Sequence, residues 1–254
     1  MKKISLTVSL LIIVLSMCSC GLVTTIRVDD GDRTPVVSFE TSAAPETVSV
    51  PETTDAVTTD YVPRDGYEGA FENCLFVGDS RTVGLRDAAD LTGADVFASV
   101  GLNVFRVNED AIEIEGLGEV RLTDLLSSNN YDKIYIMLGI NEIGYNLDYV
   151  IREFGKAVDT IKEAQPNATV YIMANLHIVK TRSDSDEIYT NDNLNYLNEG
   201  MKSFADNNQV KYLDVNPIFD DEYGCLNQEY AFDDFHLYSE HYPTWAQWIA
   251  DNSK

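Results

Sequence analysis

A parallel α/β domain is the fold class this sequence predicts, and three observations carry that expectation. The chain has 254 residues with an apolar fraction of 44%, which suits one mid-sized domain plus appended segments. Short runs rich in Val, Ile, Tyr and Phe recur from Cys74 onward, as buried strands require. Between the later runs, apolar residues take up helical spacing.

In chain order, the first residues have the form of a targeting segment. Lys2 and Lys3 precede an uncharged apolar stretch from Ile4 to Met17, followed by small residues and cysteines. The stretch is too short for a comfortable membrane span. Met17-Cys18-Ser19-Cys20-Gly21 resembles a bacterial lipobox, and Cys20 is the expected lipidation site because the small Ser19 precedes it. Cys18 is the competing site, and an ordinary signal peptide or an uncleaved anchor is the plain alternative. Residues 1–20 are thus expected to be a lipoprotein-type signal peptide that exports the chain and leaves it lipid-anchored outside the cytoplasm.

Residues 21–70 are expected to form a disordered tether. From Thr34 to Pro63 there is no Lys or Arg, and Thr, Ser, Pro, Val and acidic residues dominate. Such a composition cannot bury enough apolar surface to offset its ordering entropy.

The globular domain is assigned to 71–254. Its strands are expected at Cys74–Val77, Val96–Val100, Ile134–Leu138, Val170–Ala174 and Val210–Val215. Ile151, Phe154, Val158 and Ile161 predict a helix that stops before Pro166, and Leu194, Leu197, Met201 and Phe204 predict another. Parallel strands joined through helices form right-handed crossovers with helices on both faces, and ligand sites gather at the strands' carboxyl ends.

Charge narrows the function. Formal net charge is −24, with 42 acidic against 18 basic residues, so a nucleic-acid partner is not expected.

Chemistry-bearing residues sit where the strands end. Ser80 follows Phe76-Val77-Gly78-Asp79 at the start of a helical pattern, a place where Ser and Asp also serve as ordinary helix caps. A serine hydroxyl needs a base. His236 lies in Asp233-Asp234-Phe235-His236, where the Asp233 carboxylate can reach the far imidazole nitrogen, with Asp234 the less favoured partner. Gly101 after the second strand and Asn141 after the third could supply hydrogen bonds to an oxyanion, although each also suits a plain turn. Arg81, Asn103, Glu142 and His177 are candidate pocket residues; for Arg81 the choice is between an anionic or hydroxyl-rich substrate and a surface ion pair with an acid such as Asp87. The H-x-x-x-E-H spacing of His236, Glu240 and His241 fits neither zincin pattern, so no metal is expected.

The set Gly78-Asp79-Ser80, Gly101, Gly139-x-Asn141 and Asp233-x-x-His236 resembles the SGNH branch of the GDSL esterase and lipase family across nearly the whole globular part. That resemblance implies a three-layer flavodoxin-like fold with a five-stranded parallel sheet. It also implies Ser80 as nucleophile, His236 as base and Asp233 as its orienter, with an oxyanion hole from the Ser80 and Gly101 amides and the Asn141 side chain. Arg81 and Glu142 depart from the family's more usual leucine and aspartate. The expected activity is serine esterase or acylhydrolase chemistry without a cofactor, removing small acyl groups, acetyl among them, from extracellular or cell-wall carbohydrate. The alternatives are a lipase or thioesterase for longer chains, a catalytically idle glycan-binding lipoprotein, and a structural surface lipoprotein. Whether Cys74 and Cys225 pair is left open.

Overall fold

The computed structural model describes residues 66–114 and 116–254. The expected signal segment with Cys20, and the expected tether up to residue 65, lie outside the described residues. Packing begins slightly before residue 71: the rings of Tyr67 and Phe71 meet edge to face, and the Tyr67 hydroxyl accepts the Asp90 N–H.

The domain opens with β1 (Cys74–Gly78), α1 (Ser80–Ala88) and β2 (Ala94–Ala98). A short antiparallel hairpin of β3 (Ala111–Ile114) and β4 (Gly118–Arg121) follows, then α2 (Leu122–Ser128) and β5 (Lys133–Met137). The chain continues through α3 (Leu147–Ala164), β6 (Thr169–Met173), the single turn α4 (Lys180–Ser183), α5 (Asn191–Lys202) and β7 (Val210–Leu213). It finishes with α6 (Asn216–Phe219) and α7 (Tyr242–Asn252).

The main sheet has five parallel strands in the order β2-β1-β5-β6-β7. Because the order reverses direction at β1, the loops after β1 and β5 diverge and open a crevice at the carboxyl edge, as in flavodoxin-like sheets. Every residue of β1 is buried. Leu75 and Val77 join the apolar layer that contains Leu125, Phe154 and Leu197, whereas Phe76 joins the layer that contains Leu85, Trp245 and Ile249. Strand alternation therefore feeds two cores, one on each face, and each fully buried Leu, Ile or Phe contributes roughly 1.5–3 kcal/mol. On the second face Phe76, Tyr135 and Tyr171 form a stacked ladder with ring centroids 4.5 and 5.2 Å apart.

The two helices expected from apolar spacing are α3 and α5. The Asn146 side chain accepts the Tyr149 N–H to cap α3, which buries Val150, Phe154, Val158 and Ile161 and ends at Ala164, ahead of Pro166. Thr190 caps α5 in the same way through Asn193 N–H. The second strand ends at Ala98 rather than Val100, and Val100 is 78% exposed. The β3–β4 hairpin lies in a stretch of sequence from which no strand was expected.

Candidate active site

Gly78 and Gly139 set the backbone of the crevice. A Cβ on Gly78 would lie 2.0 Å from Thr82 Oγ1 and 2.9 Å from the Met137 carbonyl oxygen, so β1 can turn into α1 at this point only without a side chain. Gly139 has φ +118°, and a Cβ there would come within 2.9 Å of Met201 and Leu197.

Asp79, not Ser80, caps α1: its carboxylate accepts the Arg81 N–H at 3.1 Å. Ser80 is thereby left as the first residue of the helix, where backbone N–H groups have no carbonyl partner within the helix. Its hydroxyl lies 2.8 Å from His236 Nε2.

His236 is held by the loop before α7. Phe232 N–H donates to the His236 carbonyl, Tyr238 N–H to that of Tyr230, and Val179 N–H to that of Asp234. Within the loop, Asp233 Oδ1 accepts the Phe235 and His236 N–H groups at 2.7 and 2.8 Å. The same carboxylate sits 2.9 and 3.0 Å from His236 Nδ1. Partial burial would raise the Asp233 carboxyl, but the Phe235 and His236 N–H groups and the imidazole outweigh it and hold the group below the usual carboxylate range. An Nδ1–H donating to Asp233 leaves Nε2 as the acceptor facing Ser80.

Ser80, His236 and Asn141 line one cavity of about 250 Å³. Asn141 lies in a 3₁₀ turn after β5, and one of its amide N–H groups donates to the Leu102 carbonyl at 2.9 Å. A carboxamide carries two such donors, so a second remains. The bond ties the end of β5 to the loop after β2. Gly101 lies in that loop with φ +79°, exposed and outside the lining of the cavity.

The remaining pocket candidates divide. Arg81 lines the cavity, but it forms no surface pair with Asp87; that partner belongs to Arg86 at 2.7 Å. Arg81 is 1% exposed, and its Nε and Nη2 donate to the two oxygens of Asp79 at 2.9 and 2.6 Å, with Nη2 also bonding Asn175 at 2.7 Å. Asn103, Glu142 and His177 do not line the cavity. Asn103 donates to the Gly101 carbonyl at 3.3 Å, folding back on its own loop. Glu142 is buried and accepts the Val104 N–H, and burial pushes its carboxyl up to about 7. His177 sits between Asp220 at 2.8 Å and Asn195 at 2.8 Å, in a polar cluster linking β6, α5 and α6. Although burial disfavours its charged form, the Asp220 carboxylate raises the imidazole above its ordinary value.

Arg182, Tyr189 and Phe235 also line the cavity, and the sequence did not single them out. The first two lie in the polar and aromatic segment from Ile178 to Tyr189, and Phe235 directly precedes His236. Cys74 and Cys225 are both free thiols. No helix among the described residues is long and apolar enough to cross a membrane.

A serine, a histidine and an aspartate linked by hydrogen bonds at the carboxyl edge of a parallel sheet have the arrangement of a serine hydrolase site. The comparison with known families agrees in class: residues 76–242 match the GDSL-like Lipase/Acylhydrolase family, so the chain belongs to that family and is an ester-bond hydrolase. The match includes Ser80, Asn141, Asp233 and His236. No curated protein matches the sequence.

Solved structures agree in fold. A Streptococcus pneumonia protein provisionally described as a platelet activating factor is similar at TM-score 0.56 and 19% identity, over 73% of this chain and 85% of that one. A GDSL-like lipase from Bacteroides thetaiotaomicron is similar at TM-score 0.53 and 16% identity, over 75% and 93%. An acetyl xylan esterase, AlAXEase, is similar at TM-score 0.51 and 15% identity, over 70% and 98%.

Proposed function

We propose that the chain is a serine esterase that removes small acyl groups, acetyl foremost, from extracellular or cell-wall carbohydrate, with Ser80 as nucleophile, His236 as general base and Asp233 as its orienter. The observation that carries this reading is the continuous relay from Ser80 Oγ to His236 Nε2 at 2.8 Å and from His236 Nδ1 to Asp233 at 2.9 Å.

In this mechanism Ser80 Oγ attacks the ester carbonyl carbon as its proton passes to His236 Nε2. The resulting imidazolium is stabilised by Asp233. Donors for the oxyanion are the Ser80 N–H and the second N–H of Asn141, both from residues that line the cavity, while Gly101 lies outside that lining. Collapse of the tetrahedral intermediate breaks the ester C–O bond, and His236 returns the proton to the departing alcohol. Water, deprotonated by His236, then attacks the acyl carbon and frees the carboxylic acid and Ser80. Neither a metal nor an organic cofactor has a part in these steps.

Two observations favour a short acyl group. The cavity, at about 250 Å³, falls below the size of sites for drug-sized ligands. A structure of the same fold is described as an acetyl xylan esterase, which accords with an acetylated carbohydrate as substrate. Export with a lipid anchor on Cys20 belongs to the same reading and rests on the N-terminal sequence. Cys20→Ser is expected to release the protein from the membrane fraction, whereas Cys18→Ser is not.

The chemical test is hydrolysis of 4-nitrophenyl acetate, butyrate and octanoate by the protein beside Ser80→Ala and His236→Ala. Turnover is expected to be highest on acetate and to fall by at least about 10³-fold in both variants. Highest turnover on octanoate would favour the longer-chain alternative. Equal rates in the protein and its variants would reject the assignment of these residues.

A further inference from the structure

The cavity around Ser80 is lined by two arginines, Arg81 and Arg182, and among the described residues by no carboxylate, in a chain with 42 acidic and 18 basic residues. Each guanidinium already has one ion-pair partner. Asp79 holds Arg81, and Asp186 holds Arg182 Nη2 at 2.7 Å. Each also keeps a buried nitrogen with no hydrogen-bond partner among the described residues, Nη1 of Arg81 and Nε of Arg182. An unmet buried donor costs about 1–3 kcal/mol, so two of them beside one nucleophile are donors that a ligand oxygen would satisfy.

The two arginines differ in reach. Arg81 is 1% exposed, whereas the Arg182 side chain is 35% exposed and can meet a substrate as it enters. Arg182 is also held in place: its guanidinium lies 5.2 Å from the Tyr189 ring centroid and 5.9 Å from that of Phe235. Those rings pack edge to face at 5.2 Å. Asp186 in turn accepts the Ile188 and Tyr189 N–H groups, so its charge is taken up by Arg182 and the backbone. A preorganised planar fork is the geometry that recognises a carboxylate, and the neighbouring rings offer apolar surface to a sugar face.

We propose that Arg182 is a specificity-determining residue that selects esters whose alcohol portion carries a carboxylate, with O-acylated acidic sugars as the substrate class. The proposal rests on the esterase reading of Ser80: with the acyl carbon at Oγ, a group at the more exposed Arg182 belongs to the alcohol portion.

The test compares 4-acetoxybenzoate with its neutral isostere 4-acetoxybenzamide in the whole protein. The kcat/KM ratio is expected to favour the charged ester by about tenfold, to fall to about one in Arg182→Gln, and to keep part of its value in Arg182→Lys. A ratio near one in the unmodified protein, or a proportional fall on both esters in Arg182→Gln, would overturn the role of Arg182 while leaving the esterase reading intact. Absence of Ser80-dependent turnover on both esters would overturn both.

Discussion

The Asp79 carboxylate clasps the Arg81 guanidinium through two hydrogen bonds, Oδ1 to Nε at 2.9 Å and Oδ2 to Nη2 at 2.6 Å, and the residue between them in sequence is Ser80. Both side chains are almost fully buried, and Asn175 at the end of β6 continues the contact to Asn198 on α5. Ser80 therefore rests on a polar network that locks the turn from β1 into α1.

Removing one member of a buried pair leaves an uncompensated charge, at a cost of about 3–5 kcal/mol. Arg81→Ala is expected to lose stability in that range in denaturant unfolding. Arg86→Ala, which breaks only the exposed pair with Asp87, is expected to lose less than about 1 kcal/mol.

Gly78→Ala would press a methyl group against Thr82 Oγ1 and the Met137 carbonyl, and the carbonyl belongs to a central strand that cannot yield. A stability loss of roughly 1–3 kcal/mol is expected, with a fall in esterase rate as Ser80 is displaced. Thermal melts and steady-state assays of one preparation check both effects.

Asn141→Ala removes the proposed side-chain donor for the oxyanion and also frees the Leu102 carbonyl. A loss in kcat of about 10²–10³-fold with little change in KM is expected on 4-nitrophenyl acetate. A change confined to KM would assign Asn141 to substrate binding instead.

Glu142 gives a pH signature of its own. Burial, opposed by the Val104 N–H bond, moves its carboxyl from an ordinary 4.5 to about 7. A folded-state value above the unfolded one means that folding takes up a proton between the two, so this group lowers stability as pH rises through that window. Glu142→Gln retains an acceptor for Val104 N–H and cannot ionise. Its stability relative to the unmodified protein is expected to rise by on the order of 1–3 kcal/mol between about pH 5 and about pH 8, read from unfolding curves at each pH.

The positions of the five strands and the pairing of Asp233 with His236 were legible because they depend on short-range patterns, whereas the meeting of Ser80 with His236, 156 residues apart, was expected only from the family resemblance. Apolar runs mark the strands, and the three-residue offset from Asp233 to His236 lets one loop hold both. Roles that depend on distant packing were not legible. Whether Arg81 is a surface or a buried cation is decided by Asn175, and Glu142 is buried because the loop bearing Val104 docks on it. Arg182 and Tyr189 belong to no motif, and the turn made by Asp186 and the guanidinium's approach to the Phe235 ring appear only once the chain is folded. The β3–β4 hairpin was missed because its strands are four residues each with only alternate side chains buried in β3, a weak signal beside the fully buried β1.

The central claim is that His236 activates Ser80, and the most direct measurement is mass-spectrometric mapping of the adduct formed with an active-site fluorophosphonate. The expected result is one adduct, on Ser80, that His236→Ala slows by at least about 10³-fold. An adduct on another residue, or labelling of Ser80 at an unchanged rate in His236→Ala, would contradict the account.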